Sequence, residues 1–167
     1  VLVIIIDSMD KAKTVWPKYP YNKKPHELEA TQVPRPRSQV TAAIAHGWRT
    51  DIFLADDSVF HGASAFIEVL VRVLTHVEAI AEQHGRELPR HIVLQADNTV
   101  AQCKNAEVLT FLAHIVGKGK FSTATLNFLM VGHTHEDVDQ LFGLICASVL
   151  RRFCWETLDD LIGFLEA

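Results

Sequence analysis

The chain is poor in cysteine and has no cysteine pair with the spacing of a metal or redox motif. Its three cysteines, Cys103, Cys146 and Cys154, form no CxxC pair, and their number is odd. Both features argue against a disulfide framework and against a CxxC zinc site. We therefore expect reduced thiols and a location in the nucleus or the cytoplasm.

Long hydrophobic runs are also missing. The opening apolar run covers only residues 1–6 and is followed at once by Asp7. A run this short fits neither a membrane span nor a signal peptide, so we expect no membrane partner. It is typical of an inner β-strand, and a chain that opens directly on such a strand is expected to be part of a longer protein.

The chain has no excess of positive charge. Sixteen Lys and Arg residues against twenty Asp and Glu residues give a formal net charge of −4. This balance argues against a stand-alone nucleic-acid-binding module. The charge balance is compatible with a metal-dependent enzyme that acts on nucleic acid, because a carboxylate site is acidic until its metal ions bind. The sequence also has no G-x-S-x-G motif and no glycine-rich phosphate loop.

Length and apolar periodicity predict a single domain over residues 1–167, with a sizeable core. The predicted strands are 1–6, Ser38–Ala45, 50–55, 91–97 and 123–131. The predicted helices are 62–84, 105–116, a third one that Thr134 caps and that runs to Val149, and a short last one at 157–165. The order β-β-β-α-β-α-β-α predicts an α/β fold with a mixed five-stranded sheet and helices on both faces.

Residues 8–35 form a basic segment interrupted by prolines, for which little regular structure is expected. Its lysines are Lys11, Lys13, Lys18, Lys23 and Lys24. Two interpretations stay open. The segment is either a solvated loop or a flap that contacts phosphates beside Asp7.

Acidic residues follow two strands that are expected to be neighbours in the sheet. Asp7 and Asp97 would lie side by side at adjacent strand ends, where open α/β sheets place ligands. The third helix is expected to leave the sheet from the same end, with Glu136, Asp137 and Asp139 in its first turns. Clustered carboxylates need a compensating cation, and oxygen ligands suit Mg²⁺ or Mn²⁺.

Two such ions, roughly 4 Å apart, would catalyse phosphoryl transfer on nucleic acid. Asp7 would bridge both ions, Asp97 would hold one, and a carboxylate of the third helix would hold the other. Asp139 is the preferred third ligand because it flanks the inward face of that helix, and Glu136 and Asp137 are second choices. The alternative interpretation is that these acids only end strands and cap a helix.

Three ordered motifs resemble one family. They are Ile6-Asp7-Ser8-Met9-Asp10 with Lys13, then Asp97-Asn98 with Gln102, Lys104 and Asn105, and then Gly132-His133-Thr134 with Asp139, Phe142 and Gly143. With them the chain resembles the ribonuclease-H-like catalytic core of DDE/DDD transposases and retroviral-type integrases. It is most similar to a eukaryote-rich family of transposase-derived domains.

The resemblance implies cleavage and joining of DNA strands with two Mg²⁺ or Mn²⁺ ions. It implies Asp7, Asp97 and Asp139 as the catalytic metal ligands. Residues expected to support these ligands or to contact DNA are Asp10, Asn98, Gln102, Lys104, Asn105, His133 and His135. It also implies transposon ends or target DNA as partners and a homo-oligomer that holds two ends. Cys103 departs from the small polar residue or Asn that is usual within the second motif.

Two other functions are open. Transposase-derived domains often lose activity, so the chain could be an inactive, domesticated ribonuclease-H-like scaffold that binds DNA or protein. The Gly132-His133-Thr134-His135 segment also occurs in metallophosphoesterases, but their D-x-H and G-N-H-D/E motifs are missing here. A zinc site formed by His133, His135 and Asp139 would lack a fourth ligand. A structural role for His133 at a turn is the simpler interpretation.

Overall fold

The computed structural model describes most of the chain. The described residues are 1–19, 35–56, 58–59, 62–97, 100–128 and 137–166. The strands are β1 Leu2–Ser8, β2 Ser38–Ala45, β3 Arg49–Asp56, β4 His91–Ala96 and β5 Thr123–Phe128. The helices are α1 Ala63–Gln83, α2 Ala106–Gly117, α3 Asp137–Ile145 and α4 Leu158–Glu166. A short 3-10 turn covers Lys11–Lys13, and a π-helical turn over Cys146–Leu150 extends α3.

All five strands form one mixed sheet in the order β3-β2-β1-β4-β5. The strands β1, β4 and β5 are parallel, while β2 is antiparallel to both of its neighbours. The predicted α/β fold is therefore confirmed, including the expected contact between the first and fourth strands. The β2–β3 hairpin turns at Gly47, whose φ of 74° is a conformation that favours glycine.

Helices cover both faces of the sheet, which explains why β1 is apolar at consecutive positions. On one face, Ile4 and Ile6 belong to a buried cluster with Leu70 and Val73 of α1. On the other face, the buried cluster contains Ile5 of β1, Val40 and Ala42 of β2, Val138 and Phe142 of α3, and Trp155 and Leu161. Since successive side chains of a strand point to opposite faces, the carboxyl end of β1 stands between the two cores.

The described part of the basic segment after β1 is packed against the fold. Thr14 is fully buried, and the indole Nε1 of Trp16 donates to the hydroxyl of Ser38 at 2.9 Å. The ammonium of Lys18 donates to the carbonyl of Phe153 at 2.7 Å and lies 4.6 Å from the ring of Trp155. The solvated-loop interpretation is therefore wrong for residues 14–18. Lys23 and Lys24 lie outside the described residues.

The described helices give no candidate for a membrane span, because none combines the necessary length with sufficient apolar character.

Candidate functional site

Asp7 and Asp97 lie next to each other at the carboxyl edge of the parallel strands. The last residue pair between β1 and β4 is Ile6 with Ala96, and each aspartate comes directly after its member of that pair. Neighbouring strands are about 4.8 Å apart, so the two residues belong to one local site. Both line a pocket of about 430 Å³ between the sheet edge and α1.

Local hydrogen bonds fix the backbone around both aspartates. Oδ1 of Asp7 accepts a hydrogen bond from the backbone N–H of Ser8 at 2.7 Å. The carbonyl oxygen of Asp97 accepts one from the buried thiol of Cys103, with Sγ and O 2.7 Å apart. Cys103, the departure from the family motif, therefore connects the end of β4 to the turn before α2.

A second pocket, of about 720 Å³, lies on the opposite side of Asp7, against α3. Asp7, Asp10 and Asp139 all line it. Asp139 shares one helical stripe with Gly143 and Cys146, which line the same pocket, because residues spaced three and four apart lie on one face of a helix. Asp7 is thus the acidic residue, among the described ones, that lines both the pocket of Asp97 and the pocket of Asp139, and its neighbour Ser8 also lines both.

The start of α3 differs from the sequence expectation. Oδ2 of Asp137 lies 3.5 Å from Nε2 of His46, and the backbone N–H of His46 bonds to the carbonyl of Val3. Asp137 therefore lies beside the β2–β3 hairpin. Asp7 comes four residues after Val3 along β1, and this stretch of strand spans roughly 13 Å. The expectation that α3 leaves from the carboxyl edge was wrong, while Asp137 as a second choice for the third ligand stays a prediction. Glu136 lies outside the described residues.

The carboxylates do not form a ready-made metal cluster. Within the described ranges, no group of three or more His, Cys, Asp or Glu side chains is close enough to hold a metal ion. Asp7 and Asp97 nevertheless supply carboxylate oxygens, the donor type that Mg²⁺ and Mn²⁺ use. The donor chemistry fits, while the third protein ligand does not share a cluster with the other two.

Basic side chains surround the second pocket. Its cationic lining residues are Lys13, Lys18, Arg35 and Arg151. Lys18 and Arg35 also hold neighbouring backbone, since Lys18 donates to the carbonyls of Leu150 and Phe153 and Arg35 to that of Pro17. Burial lowers the pKa of Lys18 from its ordinary value, and the nearby Cys154 partly opposes that shift. Carboxylates and cations therefore meet in this pocket.

The supporting residues predicted from the motifs have several different positions. Gln102 lines the first pocket beside Asp97, while Nζ of Lys104 lies 5.5 Å from the ring centroid of Phe128. Asn105 caps α2, because its Oδ1 accepts from the backbone N–H of Val108 at 3.0 Å. Asp10 caps the 3-10 turn by accepting from the N–H of Ala12. Asn98, His133 and His135 lie outside the described residues.

A polar chain beside Asp7 was missed by the sequence reasoning. The hydroxyls of Ser8 and Thr41 lie 2.9 Å apart, and Nε2 of Gln39 donates to the Ser8 hydroxyl at 2.9 Å. All three residues line the first pocket. The alternation in β2 could have revealed it, since Gln39 and Thr41 are two residues apart and therefore share a face.

The first comparison concerns solved structures. The fold is similar to that of a chain in the crystal structure of the Mos1 strand transfer complex, with a TM-score of 0.53 and 12% sequence identity. The match covers 99% of this chain and 45% of the other, so the present chain spans less than half of that length. At this identity the likeness concerns the fold, which is ribonuclease-H-like.

Sequence comparisons give a narrower result. No curated protein sequence matches the chain. Residues 29–167 match a family described as a domain of unknown function, DUF7869. Asp97 and Asp139 lie within that match, and Asp7 precedes it. Because the match covers well over half of the sequence, the chain belongs to the DUF7869 family.

Proposed function

We propose that this chain is the ribonuclease-H-like core of a transposase-related protein, and that it cleaves and joins DNA strands by metal-dependent phosphoryl transfer. The observation that carries the proposal is the adjacency of Asp7 and Asp97 at the ends of parallel strands β1 and β4. Further support comes from the similarity of the fold to a chain of a strand transfer complex.

Each carboxylate has a proposed role. Asp7, which lines both pockets, would contact two Mg²⁺ or Mn²⁺ ions, with Asp97 at one ion and Asp139 at the other. When bound, such ions activate an attacking water or 3′-hydroxyl and stabilise the leaving oxygen. Since Asp139 does not share a cluster with the other two among the described residues, we propose that α3 approaches Asp7 when DNA and metal bind.

The basic rim of the second pocket would position the DNA backbone. The side chains of Lys13 and Arg151 make no hydrogen bond or ion pair within the described residues, and both line the pocket that holds Asp7 and Asp139. Cations that contact phosphates orient the strand without reading its sequence. Action on two DNA ends would require two copies of the chain. We also propose a nuclear or cytoplasmic location.

One observation favours a second candidate function. Because the described residues include no group of three His, Cys, Asp or Glu side chains that could hold a metal ion, the chain would also suit an inactive scaffold that binds DNA without cutting it. The two candidate functions differ in whether they require a bound metal ion. An enzyme requires divalent ions at Asp7 and Asp97, whereas a scaffold does not.

The test is a plasmid assay that reports both cleavage and joining. The protein is incubated with Mn²⁺, supercoiled plasmid and a labelled oligonucleotide with a free 3′-hydroxyl. We expect nicked plasmid and label joined to plasmid. Loss of an outer-shell residue at a metal site costs about 10–100-fold, so Asp97→Asn should lower both products by at least about 100-fold.

The matched control is Asp159→Asn, a change of the same type at an exposed position of α4 that lines neither pocket. This variant should keep the activity of the unmodified protein. If the unmodified protein leaves the plasmid intact and unjoined with Mn²⁺ present, phosphoryl transfer is wrong and the scaffold candidate remains.

A further inference from the structure

The first pocket has features that the proposed metal site does not use. It extends from Asp7 and Asp97 at the sheet edge to the inner surface of α1, with a volume of about 430 Å³. Pockets of about 300–1,000 Å³ with apolar walls and few polar groups are typical of small-molecule sites. The metal would need only the rim, so the interior is available for another group.

A buried amide stands at the polar end of this pocket. Gln39 is only 9% exposed, and the one hydrogen bond that its side chain makes with the described residues runs from Nε2 to the hydroxyl of Ser8. Its Oε1 and second Nε2 hydrogen are left without a protein partner there. Because Gln39 lines the pocket, these groups can bind a ligand or water that enters it.

The walls beside and opposite the amide are apolar and partly aromatic. Phe53 from β3 and Phe66 and Val69 from α1 line the same pocket as Gln39. Phenylalanine rings stack on flat heterocycles, and an aliphatic wall completes a slot for a planar group. The pocket thus combines stacking surfaces with one donor–acceptor pair.

The charges of the lining residues restrict which ligands the pocket can bind. Asp7, Asp97 and Glu68 line it, and the only cation among the lining residues that the structure describes is Arg72. Arg72 is already paired with Glu68, with Nε and Oε1 2.7 Å apart. An anionic group would therefore be repelled, whereas a neutral ring with hydrogen-bonding edges is compatible. A phosphate would stay at the rim of the pocket, where the metal ions proposed at Asp7 and Asp97 would bind it.

From these observations we infer that the first pocket binds one unpaired nucleobase of the DNA strand whose phosphate lies at Asp7 and Asp97. The amide of Gln39 contacts the edge of the base, and Phe53 and Phe66 contact its faces. Enzymes that take a base out of the stack bind it in this way. Adenine suits the amide, because a Gln side chain can accept from N6 and donate to N7. This inference rests on the proposed action on DNA.

The experiment compares two DNA molecules that differ only in one base. Both are duplexes with a one-nucleotide 3′ overhang, which carries adenine in one and an abasic residue in the other. Dissociation constants are measured by fluorescence anisotropy with Ca²⁺ present. Stacking of a base on aromatic side chains predicts that the adenine overhang binds at least about fivefold more tightly.

Two variants test whether the preference for the adenine overhang arises in the pocket. Ala65→Phe fills the space from α1, and Gln39→Ala removes the amide; each should abolish or reduce the preference for the adenine overhang while binding of the abasic DNA persists. The matched control is Ala79→Phe, the same change at an exposed position of α1 outside the pocket. It should keep the full preference, and circular dichroism confirms that every variant is folded.

The outcomes separate this inference from the proposed function. Equal binding of both DNA molecules by the unmodified protein would overturn the base pocket while DNA binding stands. Failure to bind either DNA would overturn the proposed function and this inference with it. Millimolar free adenosine should compete for the pocket and reduce the preference, whereas a preference that Ala65→Phe retains in full would overturn the base pocket.

Discussion

Asp7 and Asp97 occupy equivalent positions on neighbouring parallel strands, each one residue beyond the last pair that β1 and β4 form. Carboxylates at neighbouring strand positions would repel each other, and a divalent cation bound between them would relieve that repulsion. The free energy of unfolding should therefore depend on metal in a way that requires both side chains.

We expect Mn²⁺ to raise the melting temperature of the unmodified protein and to leave that of Asp97→Asn unchanged. At a free concentration of 100 times Kd, binding to the native state adds about 2.7 kcal/mol to the free energy of unfolding. Without metal, Asp97→Asn should melt at or above the temperature of the unmodified protein. The check is differential scanning calorimetry with and without Mn²⁺, and an equal shift in Asp97→Asn and Asp159→Asn would contradict the prediction.

Asp139 and Asp137 are two residues apart in α3 and should behave differently. Asp139 lines the pocket that contains Asp7, whereas Asp137 contacts His46 at the hairpin edge. Because Asp139 is the proposed third ligand, Asp139→Asn should lower plasmid nicking by at least about 100-fold, since even loss of a residue that supports a metal ligand costs about 10–100-fold. Asp137→Asn should retain nicking.

Asp137→Asn should also have a small effect on stability. The side chain of Asp137 is 58% exposed and that of His46 is 40% exposed, so loss of the contact should cost under about 1 kcal/mol of the free energy of unfolding. Urea denaturation measures this change. If Asp137→Asn stops nicking while Asp139→Asn does not, the assignment of the third ligand is reversed.

The sequence predicted the strands of the sheet well, because the pattern that predicts a strand lies in neighbouring residues. The bounds of β2 were predicted as observed, and the contact between the first and fourth strands followed from element order. The position of α3 was not predicted, because it depends on packing between Val138 and Phe142 of the helix and strand residues that are distant in sequence. The role of Lys18 was missed for the same reason, since its hydrogen bond to Leu150 joins residues 132 positions apart.

Lys18 should contribute to stability as a structural residue. Its ammonium donates to the carbonyls of Leu150 and Phe153 and lies over Trp155. Leu150 is buried, so Lys18→Met would leave its carbonyl without this donor at a cost of about 1–3 kcal/mol. Lys13→Met is the matched control in the same pocket and should change the free energy of unfolding by less than about 0.5 kcal/mol. Equal losses in urea denaturation would contradict this role.

The start of α4 should give acid sensitivity. Thr157 and Asp160 exchange hydrogen bonds, with the N–H of Thr157 donating to Oδ2 of Asp160 and the N–H of Asp160 donating to Oγ1 of Thr157. Hydrogen bonds from Thr157, chiefly its backbone N–H, lower the pKa of Asp160 below 3.8. A depressed pKa stabilises the fold above the unfolded value of 3.8, and this contribution is lost as the pH falls through the folded value.

Thr157→Ala removes one half of this capping pair and should cost about 1 kcal/mol at neutral pH. Thermal melts at neutral pH and near pH 3 measure both effects, and the difference between the variant and the unmodified protein should shrink in acid. A difference that grows in acid would show that Asp160 does not act through its carboxylate. The exposed Asp159 provides the control, because Asp159→Asn leaves the pair intact.

The most direct measurement for the central claim is anomalous diffraction at the manganese edge from crystals of this protein soaked in Mn²⁺, alone and with DNA bound. The proposal predicts a peak between Asp7 and Asp97, with Asp139 reaching the metal in the DNA complex. A peak at His133 and His135 would contradict that assignment and indicate a phosphoesterase-like or zinc site. If neither crystal shows a peak at millimolar Mn²⁺, metal-dependent phosphoryl transfer is wrong and the chain is a scaffold.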